Sequence, residues 1–582
     1  MAMVQGESSE RILEGFEISK NTDITVEEVK ERFLGRLIRE DAHILRVTKS
    51  LCPECTYEGR FDRFRIDAVI YEEDGVVKMV KECPVHGVFT ETYFSDYRMY
   101  ERAKRYSDEG VKVENPFIKK PEDKVVCPLA CGLCPKHKSH TALGNIVLTN
   151  RCDLSCWYCF FYAKENEPIY EPSLEQIRAM LRALREERPV PCNAVQFTGG
   201  EPALREDIVE IVEMAKEEGF DHIQFNTDGI RLAKDPELAI KLERAGVNVV
   251  YLSFDGVTPK TNPKNYWEIP EAIENCRRAK LGIVLVPTVI GGYNDHELGD
   301  IIRFAAANMD IIRGVNFQPV SMVGRMPLKL REKQRITIPD VCRKIEEQTN
   351  GEIRMDDFYP VPCVCKVTDF VEALKGGRKY RLSVQFACEA ATYVFKDGDR
   401  LVPLPRFVDV DGLFSYLEEL TAKIKESSLK ALGKTVSVAS LLWNIRKFIR
   451  EEEKPKDLSL LKALVSAIGG GSYDGLREFH YKSLFIGMMH FQDPYNYDVD
   501  RVERCGIHYV TPDGRIIPFC AFNVIPELYR DRIQRKYSIP YEEWLKRHPG
   551  KRLEDDKYKR SLTEEEKARV EEFYRRSLGK EV

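Results

Sequence analysis

Asn145-Ile-Val-Leu-Thr149 runs through Asn150 and Arg151 into Cys152-Asp-Leu-Ser-Cys156-Trp-Tyr-Cys159, and this stretch decides the fold. A short β-rich run ends where three thiols begin, spaced C-x3-C-x2-C on one loop. Three thiolates so placed can hold three irons of a 4Fe–4S cube and leave the fourth iron open to an outside ligand. That open position is the requirement for chemistry beyond electron transfer. A zinc knuckle is the plain alternative, but it normally needs a fourth protein ligand.

Downstream, β-rich runs recur at Ala194–Thr198, His222–Asn226, Val247–Ser253, Ile283–Thr288 and Gly314–Gln318. Amphipathic helical runs separate them. In SLEQIRAMLRALREE, Ser173 and Gln176 form a capping box, and Leu174, Ile177, Leu181 and Leu184 keep helical spacing. The next helix, REDIVEIVEMAKEEG, stops at Gly219. Six βα units in a row predict an α/β fold whose parallel sheet carries its active residues at the C-terminal strand ends. Six strands suit a partial (β/α)6 barrel better than a closed barrel; an open doubly wound sheet is the alternative.

Composition sets the outer bounds. The 582 residues exceed one small domain, and 43% hydrophobic content with 10% aromatics supports a sizeable core. Net charge is −5, which leaves no electrostatic footprint for nucleic acid. No apolar run approaches the roughly 18 residues of a spanning helix. The start, MAMVQGESSERILEG, lacks a signal-peptide layout, so a cytoplasmic location is expected. The expected units are a helical lead-in at 1–44, a small metal-binding module at 45–120 and the barrel core at 121–330. A cysteine-bearing connection at 331–400, a helical subdomain at 401–490, and an auxiliary-cluster region with a charged, solvated helical tail at 491–582 follow. Gly469-Gly470-Gly471 lacks the Lys-Ser/Thr of a phosphate loop and reads as a hinge.

The cluster loop resembles that of the radical S-adenosylmethionine superfamily, and downstream residues fit. Thr198-Gly199-Gly200-Glu201 ends the second strand and looks like the turn that receives the cofactor's methionyl amino group: glycines admit close backbone approach and Glu201 offers a negative partner. Tyr158 is placed to lay its ring against the cofactor's base. Asn226 and Asp228 end the third strand, Ser253 and Asp255 the fourth; they read as cofactor-carboxylate and ribose partners, or equally as turns stabilised by Asp-Gly chemistry. Gln318 and Ser321 are weaker candidates.

The 17 cysteines ask for more metal. Cys127, Cys131 and Cys134 repeat the C-x3-C-x2-C spacing ahead of the first strand and read as an auxiliary cluster completed from elsewhere, with a second S-adenosylmethionine site as the rival reading; His137 and His140 lie close by. Cys52, Cys55 and Cys83 form two short knuckles of a mononuclear iron or zinc site that His86 or a borrowed cysteine must complete. Cys363, Cys365, Cys388, Cys505 and Cys520 supply candidates for a further auxiliary 4Fe–4S cluster, against free buried thiols. Cys192, Cys276 and Cys342 stand alone and read as small core residues.

Together CPEC, CPVHG, VVCPLACGLCPKHKSHTALGNIVLTNRCDLSCWYCFFYA, NAVQFTGGEPALRED, FIGMMHFQDPYNYD and CGIHY resemble the archaeal tetraether lipid synthases, over about residues 45–540. The same motifs are shared by radical enzymes that methylate 7,8-dihydro-6-hydroxymethylpterin. The first resemblance implies coupling of terminal methyl carbons of archaeal diether lipid chains, one radical cluster with one or two auxiliary clusters, and a low-potential donor such as ferredoxin. It also implies peripheral membrane contact. Leu441, Leu442, Trp443, Phe485, Met488 and Met489 would wall a lipid channel within a helical segment, or simply fill a helical core. The pterin methylase is the alternative function.

Overall fold

In this computed structural model residues 17–18, 22–161, 168–426, 430–456, 458, 479 and 482–580 are described. The glycine run 469–471 and most of the apolar stretch 458–468 lie outside them.

The N-terminal unit is a five-stranded sheet in sequential order: β1 (Glu17–Ile18), β2 (His43–Leu51), β3 (Arg65–Glu73), β4 (Val76–Cys83) and β5 (Gly87–Phe94). Its strands are antiparallel except for the β1–β2 pair. The barrel core follows with β6 (Leu143–Thr149), β7 (Ala194–Gly199), β8 (His222–Thr227), β9 (Val249–Ser253), β10 (Gly282–Val286), β11 (Thr288–Val289) and β12 (Ile312–Pro319). Apart from the short β11, these strands pair in sequential order, all parallel, as the six expected units require. Ser173 caps helix Leu174–Arg185 through the expected box, with Gln176 N–H on Ser173 Oγ at 3.2 Å, and Gly219 follows the next helix with φ 87°.

The sheet then grows beyond the expected core. β13 (Tyr359–Pro360), β14 (Glu389–Asp397) and β15 (Arg400–Pro403) precede β16 (Ser483–Met489), β17 (Ile507–Val510) and β18 (Ile516–Pro518). β16 joins β12 in parallel on one flank, β17 joins β6 in parallel on the other, and β14 closes antiparallel on β16. Two expectations are thereby corrected. Residues 401–490 are not all helical: Phe485, Met488 and Met489 sit on a barrel strand, while Leu441 is buried in a small cluster and Trp443 is 84% exposed on helix Lys430–Asn444. These residues form no common wall. The charged tail is not wholly solvated either. Tyr574 of helix Glu564–Leu578 is fully buried, stacked on Tyr266 at 4.3 Å and on Phe304 at 5.2 Å.

Alternation along the strands builds the interior. Ile146, Phe197, Phe225, Leu252 and Phe317 are fully buried in the main apolar core. Their strand neighbours Asn145, Gln196, Gln224, Tyr251 and Asn316 face a cavity of about 580 Å³. Residues of β6 to β10, β12, β14, β16 and β17 all line that one cavity, so the sheet curls around it.

The FQDPYNYD motif joins the N-terminal unit to the barrel. Asp498, fully buried, accepts from Thr48 at 2.9 Å and Tyr93 at 2.8 Å and pairs with Arg46. Lys81 Nζ donates to the Pro494 carbonyl at 2.7 Å. Arg335 bridges Asp493 at 2.5 Å and Glu91 at 3.1 Å. Burial alone would neutralise Asp493, but Arg335 and the N–H groups of Met322 and Tyr495 hold its carboxyl down at about 2. Among the described residues no helix is long and apolar enough to cross a membrane.

Candidate active site

The loop after β6 and the turns after β7, β8 and β9 surround a pocket of about 170 Å³ that all three loop cysteines line. The Gly199-Gly200-Glu201 turn lies directly on the cluster loop: Gly200 N–H donates to Thr149 O and Glu201 N–H to Arg151 O, both at 2.8 Å. A Cβ at Gly200 would stand 1.9 Å from Arg151 O, and one at Gly199 2.3 Å from Thr149 O, with φ +146° there as well. Only glycine permits this contact.

Glu201 is buried and takes three donors from the protein. Its carboxylate accepts from Ala203 N–H at 2.9 Å, Thr227 Oγ1 at 2.8 Å and Asp228 N–H at 2.8 Å. Beside it, Asp228 Oδ1 accepts from Ile230 N–H at 2.9 Å, while Oδ2 is buried without a partner. Asp153 completes the group, and Cys152, Asp153 and Asp228 present donor atoms within 4.8 Å of one another. Burial and mutual repulsion raise the carboxyls of Glu201 and Asp228 above their usual range. Three buried acids (Asp153, Glu201 and Asp228) with an open oxygen make a site that a cation would complete.

On the opposite side Asp255 organises a second set. It accepts from the Tyr158 hydroxyl, pairs with Lys264, and takes Thr288 N–H at 2.9 Å. Lys264 also donates to Ser253 Oγ at 2.5 Å and lies 5.6 Å from the centre of the Tyr158 ring. Burial pushes the Lys264 ammonium down, but Asp255 and Cys156 more than offset this and raise it. Tyr158 is thus fixed through its hydroxyl. Asn226 Nδ2 donates to Thr198 Oγ1 at 3.3 Å, and both residues line the pocket and the barrel cavity.

In the N-terminal sheet, Cys52, Cys55, Cys83 and His86 bring four donor atoms within 4.8 Å of one another. His86 Nδ1 stands 3.4 Å from Cys52 Sγ and Cys55 Sγ and 3.7 Å from Cys83 Sγ. The fourth ligand is therefore His86, with its other nitrogen 3.5 Å from Glu58. Burial pushes the Cys83 thiol up, but the N–H groups of Val85 and His86 overcome it, leaving it near 7.

Comparison with known proteins bears on both sites. The Radical SAM superfamily matches residues 146–305, and the HMPTM N-terminal zinc ribbon domain matches residues 44–95. The 7,8-dihydro-6-hydroxymethylpterin dimethyltransferase of Methanocaldococcus jannaschii is 43% identical over 511 residues, 86% of this chain and 97% of that one. This chain belongs to that radical SAM family. A GTP 3′,8-cyclase of Clostridium acetobutylicum is 30% identical over 254 residues, 42% of this chain and 73% of its own. Among solved structures, methylornithine synthase matches 36% of this chain and 63% of its own at 18% identity, with a TM-score of 0.29.

Membership brings a 4Fe–4S cluster, S-adenosylmethionine, an external reductant and, with the ribbon, a further metal. The residues fit: three thiols share the pocket, the glycine turn lies directly against their loop, and Asp228, which lines the same pocket, keeps one carboxylate oxygen without a partner. The expected lipid coupling is overturned. The relative that spans most of the chain is a pterin dimethyltransferase by its name, and the archaeal diether lipid loses its support as substrate.

The remaining cysteines divide. Cys388, Cys505 and Cys520 share one neighbourhood: Arg501 Nε donates to Cys388 Sγ at 3.1 Å, and the Cys505 and Cys520 thiols act on one another electrostatically. Cys127 and Cys131 sit close by, across Tyr497, which feels both of them and Cys520. Cys134 neighbours Cys131. Cys363 and Cys365 depart from the expected grouping: their charged neighbours are Asp411, Asp108 and Arg381. His137 and His140 are buried and hydrogen-bonded inward, His137 to Cys505 O at 2.9 Å and His140 to Thr141 O at 3.1 Å. Cys192, Cys276 and Cys342 are core residues as expected.

The sequence reading passed over two parts of the site. Lys264 sits in a loop after β9 with no motif around it. The tail also returns as a strap: Lys557 Nζ donates to Cys152 O at 3.1 Å, Leu154 O at 3.3 Å and Ser155 Oγ at 3.2 Å, and Tyr558 N–H to Asp153 O at 3.0 Å. Arg151 ties the loop to Glu171 at 2.8 Å and to Asp556 of the strap at 2.6 Å.

Proposed function

We propose that this chain transfers methyl groups from S-adenosylmethionine to a reduced 6-hydroxymethylpterin by radical chemistry, one molecule giving up its methyl and another the hydrogen-abstracting radical for each group added. The observation that carries this reading is the barrel cavity, whose polar lining adjoins the cluster pocket through Thr198, Asn226, Ser253, Thr288 and Gln318. A flat heterocycle rich in hydrogen-bonding groups needs such a lining, and Asn145, Gln196, Gln224 and Asn316 supply it from β6, β7, β8 and β12.

In this reading Cys152, Cys156 and Cys159 hold the cluster. When bound, the cluster and S-adenosylmethionine supply one-electron radical chemistry at an otherwise inert C–H bond. Glu201 and Asp228 receive the cofactor's amino group, with Gly199 and Gly200 holding their turn against the cluster loop. Lys264 and Ser253 face its carboxylate or ribose, and Asp255 orients Lys264 and Tyr158. Cys127, Cys131 and Cys134 hold one auxiliary cluster and Cys388, Cys505 and Cys520 a second, each completed by a further ligand.

The test is anaerobic incubation of reconstituted protein with reductant, S-adenosylmethionine and 7,8-dihydro-6-hydroxymethylpterin, read by mass spectrometry. A pterin heavier by one or two methyl groups, with 5′-deoxyadenosine released, is expected. Unchanged pterin with a fully loaded enzyme overturns the reading.

A further inference from the structure

Among the described residues, the Glu389 carboxylate and Gln224 Oε1 inside the barrel accept no hydrogen bond. Glu389 opens β14 and lines the cavity, opposite Met489 near the C-terminal end of β16, the end at which the cluster pocket lies. Among the described residues no side chain donates to its carboxylate. The nearest charge, Arg501, is committed elsewhere, to Cys388 Sγ at 3.1 Å and His490 O at 2.5 Å. Gln224 is the second. Its Nε2 meets His222 Nε2 at 3.1 Å, and its Oε1 is left buried and unpartnered. Tyr251 lines the same cavity and lies close enough to feel both Gln224 and Glu389.

A buried acceptor without a donor, such as Gln224 Oε1, is costly, while the half-buried Glu389 carboxylate opens onto the cavity. A cavity that presents two such acceptors, one from β8 and one from β14, is complementary to a ligand that brings N–H donors. A carboxylate's two oxygens match a pair of parallel N–H groups, as on a cyclic guanidine edge where a ring N–H stands beside an exocyclic amine.

We propose that Glu389 is the specificity-determining residue of the barrel cavity, reading the ring N–H and 2-amino group of a 2-amino-4-oxo heterocycle. This rests on the pterin reading and adds the residue that distinguishes a pterin from a ring with oxygen in place of the 2-amino group. That oxygen would face the carboxylate lone pair to lone pair.

The experiment measures equilibrium binding to the anaerobic holoenzyme by ligand fluorescence. The probes are 7,8-dihydro-6-hydroxymethylpterin and its lumazine analogue, which carries oxygen at position 2. Wild-type protein should prefer the pterin by about 100-fold, the scale of hydrogen bonds to a charged acceptor. Glu389→Gln should bring that preference within about threefold and raise KM for the pterin more than it lowers kcat. Iron content and the melting curve show whether the variant has folded, and the wild-type comparison needs no variant. Equal binding of the two probes by the wild type, or an intact preference in Glu389→Gln, overturns the assignment while the pterin function stands. A wild type that binds neither probe removes the pterin reading and this assignment with it.

Discussion

The ribbon and the barrel mouth use the same ligand type to opposite ends. At the ribbon, Cys52, Cys55, Cys83 and His86 direct four donor atoms at one small volume, all from the first 86 residues and all from the turn after β2 or the end of β4 and its turn into β5. Nothing is left open, which is the arrangement of a structural metal site. At the barrel mouth, three cysteines of one loop share a pocket with an orphaned Asp228 oxygen, and the loop is held by a turn, a lysine pair and a strap from over 300 residues away. The contrast teaches that the closed site is complete within its own segment, whereas the open site needs the whole fold to hold it in place.

Removing the open site's thiols should have the largest effect. Cys152→Ala, Cys156→Ala and Cys159→Ala should each abolish S-adenosylmethionine cleavage, measured as 5′-deoxyadenosine release, while the ribbon metal stays at one per chain. Cleavage that persists would move the radical site to Cys127, Cys131 and Cys134 and erase the contrast.

Gly200→Ala comes next. Its added methyl would lie 1.9 Å from Arg151 O, so turn and loop must part. A displacement of that order should cost about 100-fold in turnover. Metal analysis should find the ribbon unchanged, and a fully active variant would show that the turn is not what sets the pocket.

His86→Ala should act in the reverse sense. Loss of one donor should weaken ribbon metal binding by about 100-fold or more, read by competition with a chelator. The docking ties through Asp498 and Asp493 make some loss of thermal stability follow, but the cluster pocket should still bind S-adenosylmethionine. Loss of both sites together would mean that the ribbon is part of the barrel's machinery.

Lys557→Met should give the smallest effect. It removes three donor contacts to the loop from an exposed side chain, so a loss of about tenfold or less in cleavage rate is expected. An unchanged rate would leave the strap as packing alone.

Local pattern made much of this legible. Ser173 with Gln176, the β-rich runs and the thiol loop at a strand end each write their meaning within a dozen residues, and the barrel core appeared where they put it. β16 escaped because Ser483-Leu-Phe-Ile-Gly-Met-Met489 is apolar without alternation, which a buried helix also satisfies. β17, only four residues long, carried too little pattern to stand out. Lys264 and Lys557 are lone lysines in loops, and a lysine in a loop is ordinarily solvated; only its contacts say otherwise. The lipid reading rested on motifs that pterin-methylating enzymes share, and the relative that spans most of the chain overturns it. Its apolar wall does not form either: residues 441–443 go to a small helical cluster and the surface, and 485–489 to a barrel strand.

What the sequence determined alone is the local chemistry: three thiols at a strand end, a glycine turn able to lie against them, and knuckles for a second metal. These depend on spacing of a few residues, and short spacing fixes geometry. Only the tertiary structure decided how far the sheet extends, that His86 closes the ribbon, that Cys388, Cys505 and Cys520 gather while Cys363 and Cys365 do not, and that the barrel holds acceptors awaiting a donor-bearing ligand. Those outcomes turn on contacts between residues from 34 positions apart at the ribbon to hundreds apart in the barrel, where burial and packing, rather than local propensity, select the neighbours.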